Sequence, residues 1–246
     1  MNLDERFDFF DVRINATNLS QTAHFLRDYQ YSNVGYICFP DSSVVAAAQD
    51  DEALKKVLNN ALLTLPDGKP SEIAARMKGY KQVSTVSGYW LSKELFRTSL
   101  THFFLGSTEA KLTKMVSSVR AEFPEVKILG HSSLPFKDAD FFKSGNIFEE
   151  ELDTINRLRP DLIWVGLSSP KQDFLMRNHV PRLQHGVMLG VGGVFDYLSG
   201  DVRKSPEWIK KIGLRWLWRL AREPRRLGQK YWLTMKVLLK IVVKRN

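Results

Sequence analysis

The chain has 246 residues, of which 43% are hydrophobic and 11% aromatic, a composition that indicates a globular protein with a substantial core and excludes a disordered one. Its single cysteine, Cys38, excludes an internal disulfide and a cysteine-rich zinc site and fits a reducing compartment. The net charge of +9 is unevenly distributed along the chain. Residues 203–246 hold 14 basic and 2 acidic side chains (+12), whereas the other residues hold 22 basic and 25 acidic ones (−3). The basic segment 203–246 therefore favours nucleic acid or an anionic membrane as its partner.

The first hundred residues mix helical and strand patterns. The amino terminus is acidic and polar, so we expect no secretory signal peptide. The spacing of apolar residues predicts a helix in "NLSQTAHFLRDY", a buried strand in "VGYICF", one or two helices in "SSVVAAAQDDEALKKVLNN" and a short strand with a turn in "LTLPDG". A further helix is predicted in "PSEIAARMKGY", with Pro70 in its first turn and Ser71 as its cap.

From residue 101 onward, strands and helices alternate regularly. Strands are predicted in "HFFLGS", "VKILGHS", "DLIWVGLSS" and "GVMLGVGG", with amphipathic helices between them. No apolar run reaches the roughly 18–20 residues that span a bilayer, and no repeat is visible. This alternation predicts an α/β domain over residues 1–200: an open, mainly parallel, Rossmann-like sheet with helices on both faces.

Glycines follow five of the predicted strands. Ligands of such sheets bind at the carboxyl ends of the strands, where glycine lets backbone N–H groups approach a phosphate closely. Tight strand–helix turns explain any one of these glycines equally well, but their recurrence favours a nucleotide-bearing ligand. Gly130 follows one of these five strands, and the candidate ligand-binding glycines after the other four are Gly68, Gly106, Gly166, Gly190, Gly192 and Gly193.

Polar residues are few at the same strand ends: Asp41, Asp67, Ser168, Gln172 and Asp196. A carboxylate there is a candidate general base, although Asp67 in "PDG" is equally typical of a turn. The DxD sequence at 138–140 is interpreted as a solvated helix start, and the histidines lack metal-ligand spacing, so we expect no metal site.

The basic segment 201–246 predicts amphipathic helices, interrupted near Pro224. Trp208, Ile212 and Trp216 recur four apart, as do Lys236, Lys240 and Lys244. Basic, tryptophan-rich helices lie in the headgroup layer of anionic bilayers. Ordinary core packing and a nucleic-acid patch are the alternatives, but the apolar content is high and no nucleic-acid-binding motif is present, so we expect no nucleic-acid partner.

Together these patterns resemble the WecG/TagA/CpsF family of bacterial glycosyltransferases. The resemblance covers roughly residues 34–231 and depends on four segments: "LPDG", "FFLGSTEAKL", "VGLSSPKQDFLMRNH" and "LGVGGVFDYLSGDVRKSPEWIKKIGLRWLWRLAREPRR". It implies an inverting, metal-independent and cofactor-free enzyme, peripheral at the cytoplasmic face of the plasma membrane. Such an enzyme moves a sugar, of the N-acetylmannosamine type or another hexose, from a UDP-sugar to a polyprenyl-diphosphate-linked sugar in surface polysaccharide synthesis.

The resemblance also implies roles for individual residues. Asp67 would be the base, Gln172 would line the pocket, and the segment around Gly192, Gly193 and Asp196 would hold the nucleotide. Arg219 and Arg226 match arginines of the family's membrane-binding appendage, which also reach into the site.

The sequence departs from the family pattern at three pocket positions. Phe39 and Asp41 stand where many members have Thr and Asn, Thr85 replaces an arginine, and Gln229 replaces a later arginine. These changes allow a different donor sugar, or a module of the same fold that binds a UDP-sugar or a membrane without catalysis. A homo-oligomer is compatible with either alternative.

Overall fold

A computed structural model describes residues 3–201, and its centre is a parallel sheet of six strands in the order β4-β3-β8-β7-β5-β6. A separate antiparallel pair, β1 and β2, precedes it. The strands are β1 (Arg6–Phe9), β2 (Val12–Asn15), β3 (Gly35–Cys38), β4 (Leu63–Thr64), β5 (Thr101–Leu105), β6 (Lys127–Ser132), β7 (Leu162–Val165) and β8 (Val187–Gly190). The predicted open, parallel α/β sheet is confirmed.

Helices cover both faces of this sheet. They are α1 (Leu19–Arg27), α2 (Ser42–Asp50), α3 (Glu52–Asn59), α4 (Lys69–Met77), α5 (Gly88–Leu95), α6 (Glu109–Glu122), α7 (Ala139–Lys143), α8 (Glu149–Leu158), α9 (Lys171–His179) and α10 (Val194–Leu198). One core contains the buried side chains of α2, α3, α4, α7, α8 and α9, and the other those of α1, α5, α6 and α10. Both faces of the central strands are therefore buried, which explains their continuous apolar runs.

The chain reverses its direction of travel across the sheet between β5 and β7. After β5 it moves outward to β6, and after β7 it moves inward to β8. The helices that follow these two strands, α6 and α9, pack on opposite faces. A crevice opens at such a point at the carboxyl ends of the strands, which is where ligands of this architecture bind.

The β1–β2 hairpin was not predicted. Phe7, Phe9, Val12 and Ile14 alternate with polar residues and are buried against the sheet, a period-two pattern that the sequence does contain. The turn residues Phe10 and Asp11 both have positive φ (53° and 58°), but the pair lacks the usual Asn-Gly signal. The hairpin also positions β4, because Asn15 Oδ1 accepts a hydrogen bond of 2.7 Å from the N–H of Thr64.

The predicted cap of α4 is wrong. The helix begins after Gly68, which has a φ of 91°, and Pro70 lies in the first turn as expected. Ser71 lies inside the helix instead, and its hydroxyl donates back to the carbonyl of Gly68 at 2.8 Å. Gly68 adopts a left-handed backbone conformation that a residue with a Cβ enters only with strain.

Gly166, just after β7, is packed against the buried ring of Phe195. A Cβ at Gly166 would lie 2.3 Å from the nearest ring carbon, so Gly166→Ala must displace the ring. We expect it to lower the free energy of unfolding by about 1–3 kcal/mol, measured by denaturant titration. The matched control is Gly193→Ala, where the nearest atom lies 3.9 Å away. It should cost less than about 1 kcal/mol, and equal losses in the two variants would contradict this packing.

Residues 202–246 lie outside the described part of the chain, and with them the predicted appendage, Arg219, Arg226 and Gln229. The division into domains 1–200 and 201–246 therefore stays a prediction. Within residues 3–201, no helix is both long enough and apolar enough to cross a membrane.

Candidate functional site

The predicted site residues follow strand ends that are in register. Cys38 of β3 pairs with Thr64 of β4 and with Gly190 of β8. Gly190 pairs in turn with Val165 of β7, and Val165 with Leu105 of β5. Because parallel strands lie about 4.8 Å apart, the segments after β4, β3 and β8 leave the sheet within roughly 10 Å of one another. These three segments carry Asp67, Asp41 and Gly192.

Asp67 is half-buried at the end of the β4 segment, directly before the left-handed Gly68. The carbonyl of Pro66 accepts a hydrogen bond of 2.8 Å from the N–H of Val86, which holds this turn against the segment that precedes α5. The backbone is therefore restrained before Asp67 by this hydrogen bond, and after it by the turn at Gly68, which suits a group that must meet a substrate in one geometry.

Glu72, which the sequence analysis did not identify, organises the same corner. This buried carboxylate accepts hydrogen bonds from the N–H and hydroxyl of Thr85 at 3.2 and 3.1 Å. It also pairs with Lys69 at 3.0 Å and Arg76 at 2.9 Å. Burial alone would raise the pKa of Glu72, but the hydrogen bonds from Lys69 and Thr85 outweigh it and lower the pKa. Thr85 is thus held by Glu72.

Replacing Glu72 with Gln should weaken this corner. The lost charge-assisted hydrogen bonds should cost about 1–3 kcal/mol of unfolding free energy near neutral pH. Because the folded-state pKa of Glu72 lies below its ordinary value of 4.5, the carboxylate stabilises the fold above that pH. The difference between wild type and Glu72→Gln should shrink as the pH falls through and below about 4.5. A difference that is constant from pH 7 to 3 in denaturant titrations would contradict the assignment.

Asp41 caps the helix that follows β3. Its Oδ1 accepts hydrogen bonds from the N–H groups of Ser43 at 3.0 Å and Val44 at 3.2 Å. Phe39 is buried in the core between the sheet and α1 and α5. Its ring therefore serves packing.

Gln172, in the first turn of α9, lies against the segment that follows β8. Its Nε2 donates to the carbonyl of Gly190 at 2.7 Å. Its Oε1 would lie 3.3 Å from a Cβ built on Gly192, and the Cα of Ser168 would lie 3.5 Å from the same point. Oε1 is buried and has no hydrogen-bond partner among the described residues. The structure thus brings together four predicted residues: Ser168, Gln172, Gly190 and Gly192.

The structure corrects the role of several glycines. The sequence analysis predicts that the N–H of Gly192 faces a ligand. In the structure this N–H instead donates to the carbonyl of Val165 at 3.2 Å. The N–H groups of Gly106 and Gly166 donate likewise, to Ser132 and to Leu105 at 2.9 Å each. These glycines serve close packing, which leaves Gly193 as the predicted backbone donor for a diphosphate.

Asp196 is paired across the surface with Lys111, which the sequence analysis did not identify. Lys111 lies in the first turn of α6, and its ammonium group contacts Asp196 Oδ1 at 2.5 Å and Asp201 at 3.9 Å. Lys114 also contacts Asp201, at 2.5 Å. Asp196 therefore belongs to an ion cluster on the α6–α10 face, whereas Gln172 belongs to the α9 face.

A second unpredicted acid, Asp173, lies on the opposite side of the sheet from this cluster. It is 1% exposed, and its Oδ2 has no hydrogen-bond partner among residues 3–201. Burial raises its pKa to about 6, the neighbouring Ser169 and Cys38 side chains oppose that rise, and the nearby charge of Asp41 adds to it. Burial also raises the pKa of the Cys38 thiol, so the thiol is the donor in their contact.

Metal-binding groups are sparse in the described chain. Between residues 3 and 201, no cluster of three or more His, Cys, Asp or Glu side chains could hold a metal ion. Asp138 begins α7, and its carboxylate accepts from the N–H of Phe141 at 2.9 Å. The interpretation of the DxD sequence as a helix start is confirmed.

Comparison with known proteins assigns the chain to a family. The model of the "Glycosyl transferase WecG/TagA/CpsF family" matches residues 7–246. Three similar proteins are each named N-acetylglucosaminyldiphosphoundecaprenol N-acetyl-beta-D-mannosaminyltransferase. The Bacillus subtilis protein is 27% identical over 86% of this chain and 81% of its own length, and the Bacillus spizizenii protein 26% identical over 90% and 83%. The Staphylococcus aureus protein is 22% identical over 93% and 91%. The chain therefore belongs to the WecG/TagA/CpsF family of glycosyl transferases, as the resemblance of its motifs predicts.

Proposed function

We propose that this glycosyltransferase moves a sugar from a UDP-sugar to a polyprenyl-diphosphate-linked sugar, with inversion at the anomeric carbon and without a metal or cofactor. The names of its relatives support the acceptor class, since each includes an N-acetylglucosaminyl-diphosphoundecaprenol. The same names support N-acetylmannosamine as the first donor sugar to test. The product would enter the synthesis of a cell-surface polysaccharide such as a teichoic acid.

One observation carries the proposal. A half-buried carboxylate, Asp67, leaves the sheet within two strands of the segment that holds Gly190, Gly192 and Gln172. Transfer from a nucleotide-linked sugar needs a base and a segment that admits the nucleotide. Both lie at the same edge of the sheet, at the carboxyl ends of its strands. The base meets the attacking hydroxyl, and the glycine segment admits the nucleotide.

The proposed step is a direct displacement. The acceptor hydroxyl oxygen forms a bond to the anomeric carbon while the bond from that carbon to the diphosphate breaks. Asp67 accepts the proton of the hydroxyl, and UDP leaves with the bonding electron pair. Because the new bond forms opposite the leaving group, the configuration inverts.

The leaving diphosphate needs positive charge or hydrogen-bond donors. The N–H of Gly193 is the proposed backbone donor, and the guanidinium groups of Arg219 and Arg226 are the proposed charges. Arginine suits this role because its planar donors bind two phosphate oxygens at once. Since both arginines belong to the basic segment, binding of that segment to an anionic membrane would couple catalysis to the surface where the lipid acceptor resides. The proposed site of action is therefore the cytoplasmic face of the plasma membrane.

The test is release of UDP from a panel of UDP-sugars, with a short-chain lipid-diphosphate-N-acetylglucosamine as acceptor and a chelator present. Acceptor-dependent release from one donor, unchanged by the chelator, is the expected result. Release that stops on chelation would overturn metal independence. Absence of release from every donor, with UDP still bound, would overturn the transferase.

A second candidate is a module that binds the nucleotide sugar without turning it over. The burial of Phe39 in the core favours it, because this removes a polar group from the pocket. The restraint of Thr85 by Glu72, where the family has arginine, favours it too. Restoring these groups with Phe39→Thr and Thr85→Arg would raise turnover if the module is degenerate.

A further inference from the structure

The outer side of α4 carries two cations that share one buried carboxylate. Lys69 Nζ lies 3.1 Å from Glu72 Oε1, and Arg76 Nη2 lies 2.9 Å from the same oxygen atom, so the two charged groups lie close together. Both cationic side chains are largely exposed, whereas Glu72 is buried. Glu72 therefore restrains two positive charges at the surface, where lysine and arginine side chains otherwise change rotamer freely.

Two aliphatic side chains lie on the same side of this helix. Ile73 is 46% exposed and Met77 is 54% exposed, and they follow Lys69 by four and eight residues, which is about one and two helical turns. Single exposed apolar residues are common on protein surfaces, but these two are neighbours and are flanked by restrained cations. Lys69, Ile73, Arg76 and Met77 together form a surface, the α4 face, that suits an amphipathic partner.

The charge of the α4 face favours an anionic partner. Between residues 68 and 93, Glu72 is the only acidic residue, and it is buried. A second copy of the chain would bring two basic faces together, and the segment 203–246 is itself strongly basic, so like charges oppose both as occupants. Nucleic acid would match the cations but would place a charged backbone against the two aliphatic side chains. A diphosphate joined to a hydrocarbon chain matches both features.

The α4 face begins directly after the proposed base. Lys69 follows Asp67 by two residues, and consecutive Cα atoms are about 3.8 Å apart, so the two Cα atoms lie within about 7.6 Å of each other. In the proposed acceptor, one sugar ring separates the attacking hydroxyl from the diphosphate. An acceptor whose hydroxyl meets Asp67 therefore has its diphosphate within reach of the Lys69 side chain, and its hydrocarbon chain can continue along α4 toward Met77.

We propose that the α4 face binds the lipid-linked diphosphate of the acceptor. Lys69 and Arg76 bind the phosphate oxygens through charge-assisted hydrogen bonds, and Ile73 and Met77 contact the first isoprene units. The inference rests on the proposed function for the identity of the acceptor, but binding of a lipid diphosphate to this face can be measured without sugar transfer.

The first experiment is calorimetric titration of the full chain with two probes, farnesyl diphosphate and inorganic pyrophosphate, with UDP present to occupy the donor pocket. Lys69→Gln combined with Arg76→Gln should raise the Kd of both probes by about tenfold or more, because hydrogen bonds to charged groups are lost. Ile73→Gln combined with Met77→Gln should raise the Kd of farnesyl diphosphate by about tenfold and leave that of pyrophosphate unchanged, because only the hydrocarbon contact is lost. Wild-type Kd values for farnesyl diphosphate in both variants would overturn the proposal.

The matched control removes one lysine and one arginine elsewhere on the surface. Lys127 is the first residue of β6, Arg157 lies in the last turn of α8, and both are exposed. Lys127→Gln combined with Arg157→Gln should leave both Kd values within about twofold of wild type, since distant surface charges are screened. A loss equal to that of the Lys69 and Arg76 variant would mean that net charge alone acts, which would overturn the proposal.

Folding needs its own control, because removal of both cations leaves Glu72 buried with fewer partners. The variant of Ile73 and Met77 keeps these ion pairs and therefore tests the face without this complication. The triple variant Lys69→Gln, Glu72→Gln and Arg76→Gln removes the buried charge as well, and it should bind pyrophosphate as weakly as the double variant. Recovery of wild-type binding in the triple variant would assign the loss to an unpaired Glu72 and overturn the proposal.

The other possible occupants give different results. Displacement of farnesyl diphosphate by UDP in direct competition would place the probe in the donor pocket. A wild-type dimer that the variant of Ile73 and Met77 dissociates, measured by sedimentation, would make the α4 face a contact between copies. Single-stranded RNA that binds more tightly than farnesyl diphosphate, with the same dependence on Lys69 and Arg76, would favour nucleic acid. Each of these results would overturn the proposal.

The second experiment uses the transfer reaction itself. In steady-state kinetics, the variant of Lys69 and Arg76 should raise the KM of the lipid-diphosphate acceptor by about tenfold, while kcat and the KM of the UDP-sugar stay within about twofold of wild type. If no UDP-sugar is turned over but the Kd of farnesyl diphosphate still depends on the α4 face, the proposed function fails and the lipid-diphosphate site stands. If transfer is confirmed but the acceptor KM is unchanged in the variant, the α4 site alone is wrong.

Discussion

Asp67→Asn is expected to lower the turnover number by a factor of about 10²–10⁴ while changing the Kd of the UDP-sugar less than about twofold. The substitution keeps the shape of the side chain but removes its ability to accept the proton of the attacking hydroxyl, and a positioned general base typically contributes this much. Asn is also well tolerated in a turn before glycine, so the fold should be retained. Initial-rate kinetics with a short-chain acceptor, beside calorimetric titration of the donor, would measure both quantities.

The matched control is Asp138→Asn. Asp138 is likewise an acid at the start of a helix, it belongs to the DxD sequence, and Asn caps helices as well as Asp does. Its turnover should stay within about twofold of wild type. Near-normal turnover in Asp67→Asn would remove Asp67 as the base, and a large loss in Asp138→Asn would return the DxD sequence to consideration.

The sheet could be predicted because its information is local. Each central strand is a short apolar run that ends in glycine or a polar residue, and each following helix repeats apolar residues at helical spacing. The hairpin β1–β2 was missed because its turn residues, Phe10 and Asp11, are not typical of a turn. The alternation of apolar and polar residues on either side of the turn does indicate two strands. The cap of α4 was assigned to Ser71 because serine is the commoner cap, whereas the left-handed turn at Gly68 fixed the start of the helix three residues earlier.

The site could be predicted less well because its chemistry depends on contacts between distant segments. Strand ends could be placed at one edge from topology alone, which brought Asp67 and Gly192 into the same region. The pairing of Glu72 with Thr85, of Asp173 with Cys38 and of Lys111 with Asp196 could not, because nothing local marks these partners. The local sequence also gave no sign that Gly166 packs against a ring 29 positions later in the chain, or that the N–H groups of Gly106, Gly166 and Gly192 donate to backbone carbonyls.

The second large effect concerns the basic segment. Replacing Lys236, Lys240 and Lys244 with Gln is expected to weaken binding to vesicles that contain anionic lipid by about 10²-fold. Each lysine near such a surface contributes about 1 kcal/mol, so three contribute about 3 kcal/mol. Sedimentation with phosphatidylglycerol-containing vesicles would measure the loss, and vesicles of phosphatidylcholine alone should bind wild type and variant equally weakly. Raising the salt concentration should reduce the difference, since surface attraction is screened within about 8 Å at physiological ionic strength.

The control for this experiment must remove the same charge elsewhere. Lys78, Lys81 and Lys127 are exposed on the body of the protein, and changing all three to Gln leaves the net charge equal to that of the tail variant. If the location of the basic residues matters, the body variant should bind the anionic vesicles within about threefold of wild type. Equal losses in both variants would mean that net charge alone drives the association.

RNA that binds tightly and displaces the protein from vesicles would instead favour a nucleic-acid role. Binding that depends on the tail lysines and resists RNA would link the basic segment to the surface on which a lipid-linked acceptor is presented to Asp67.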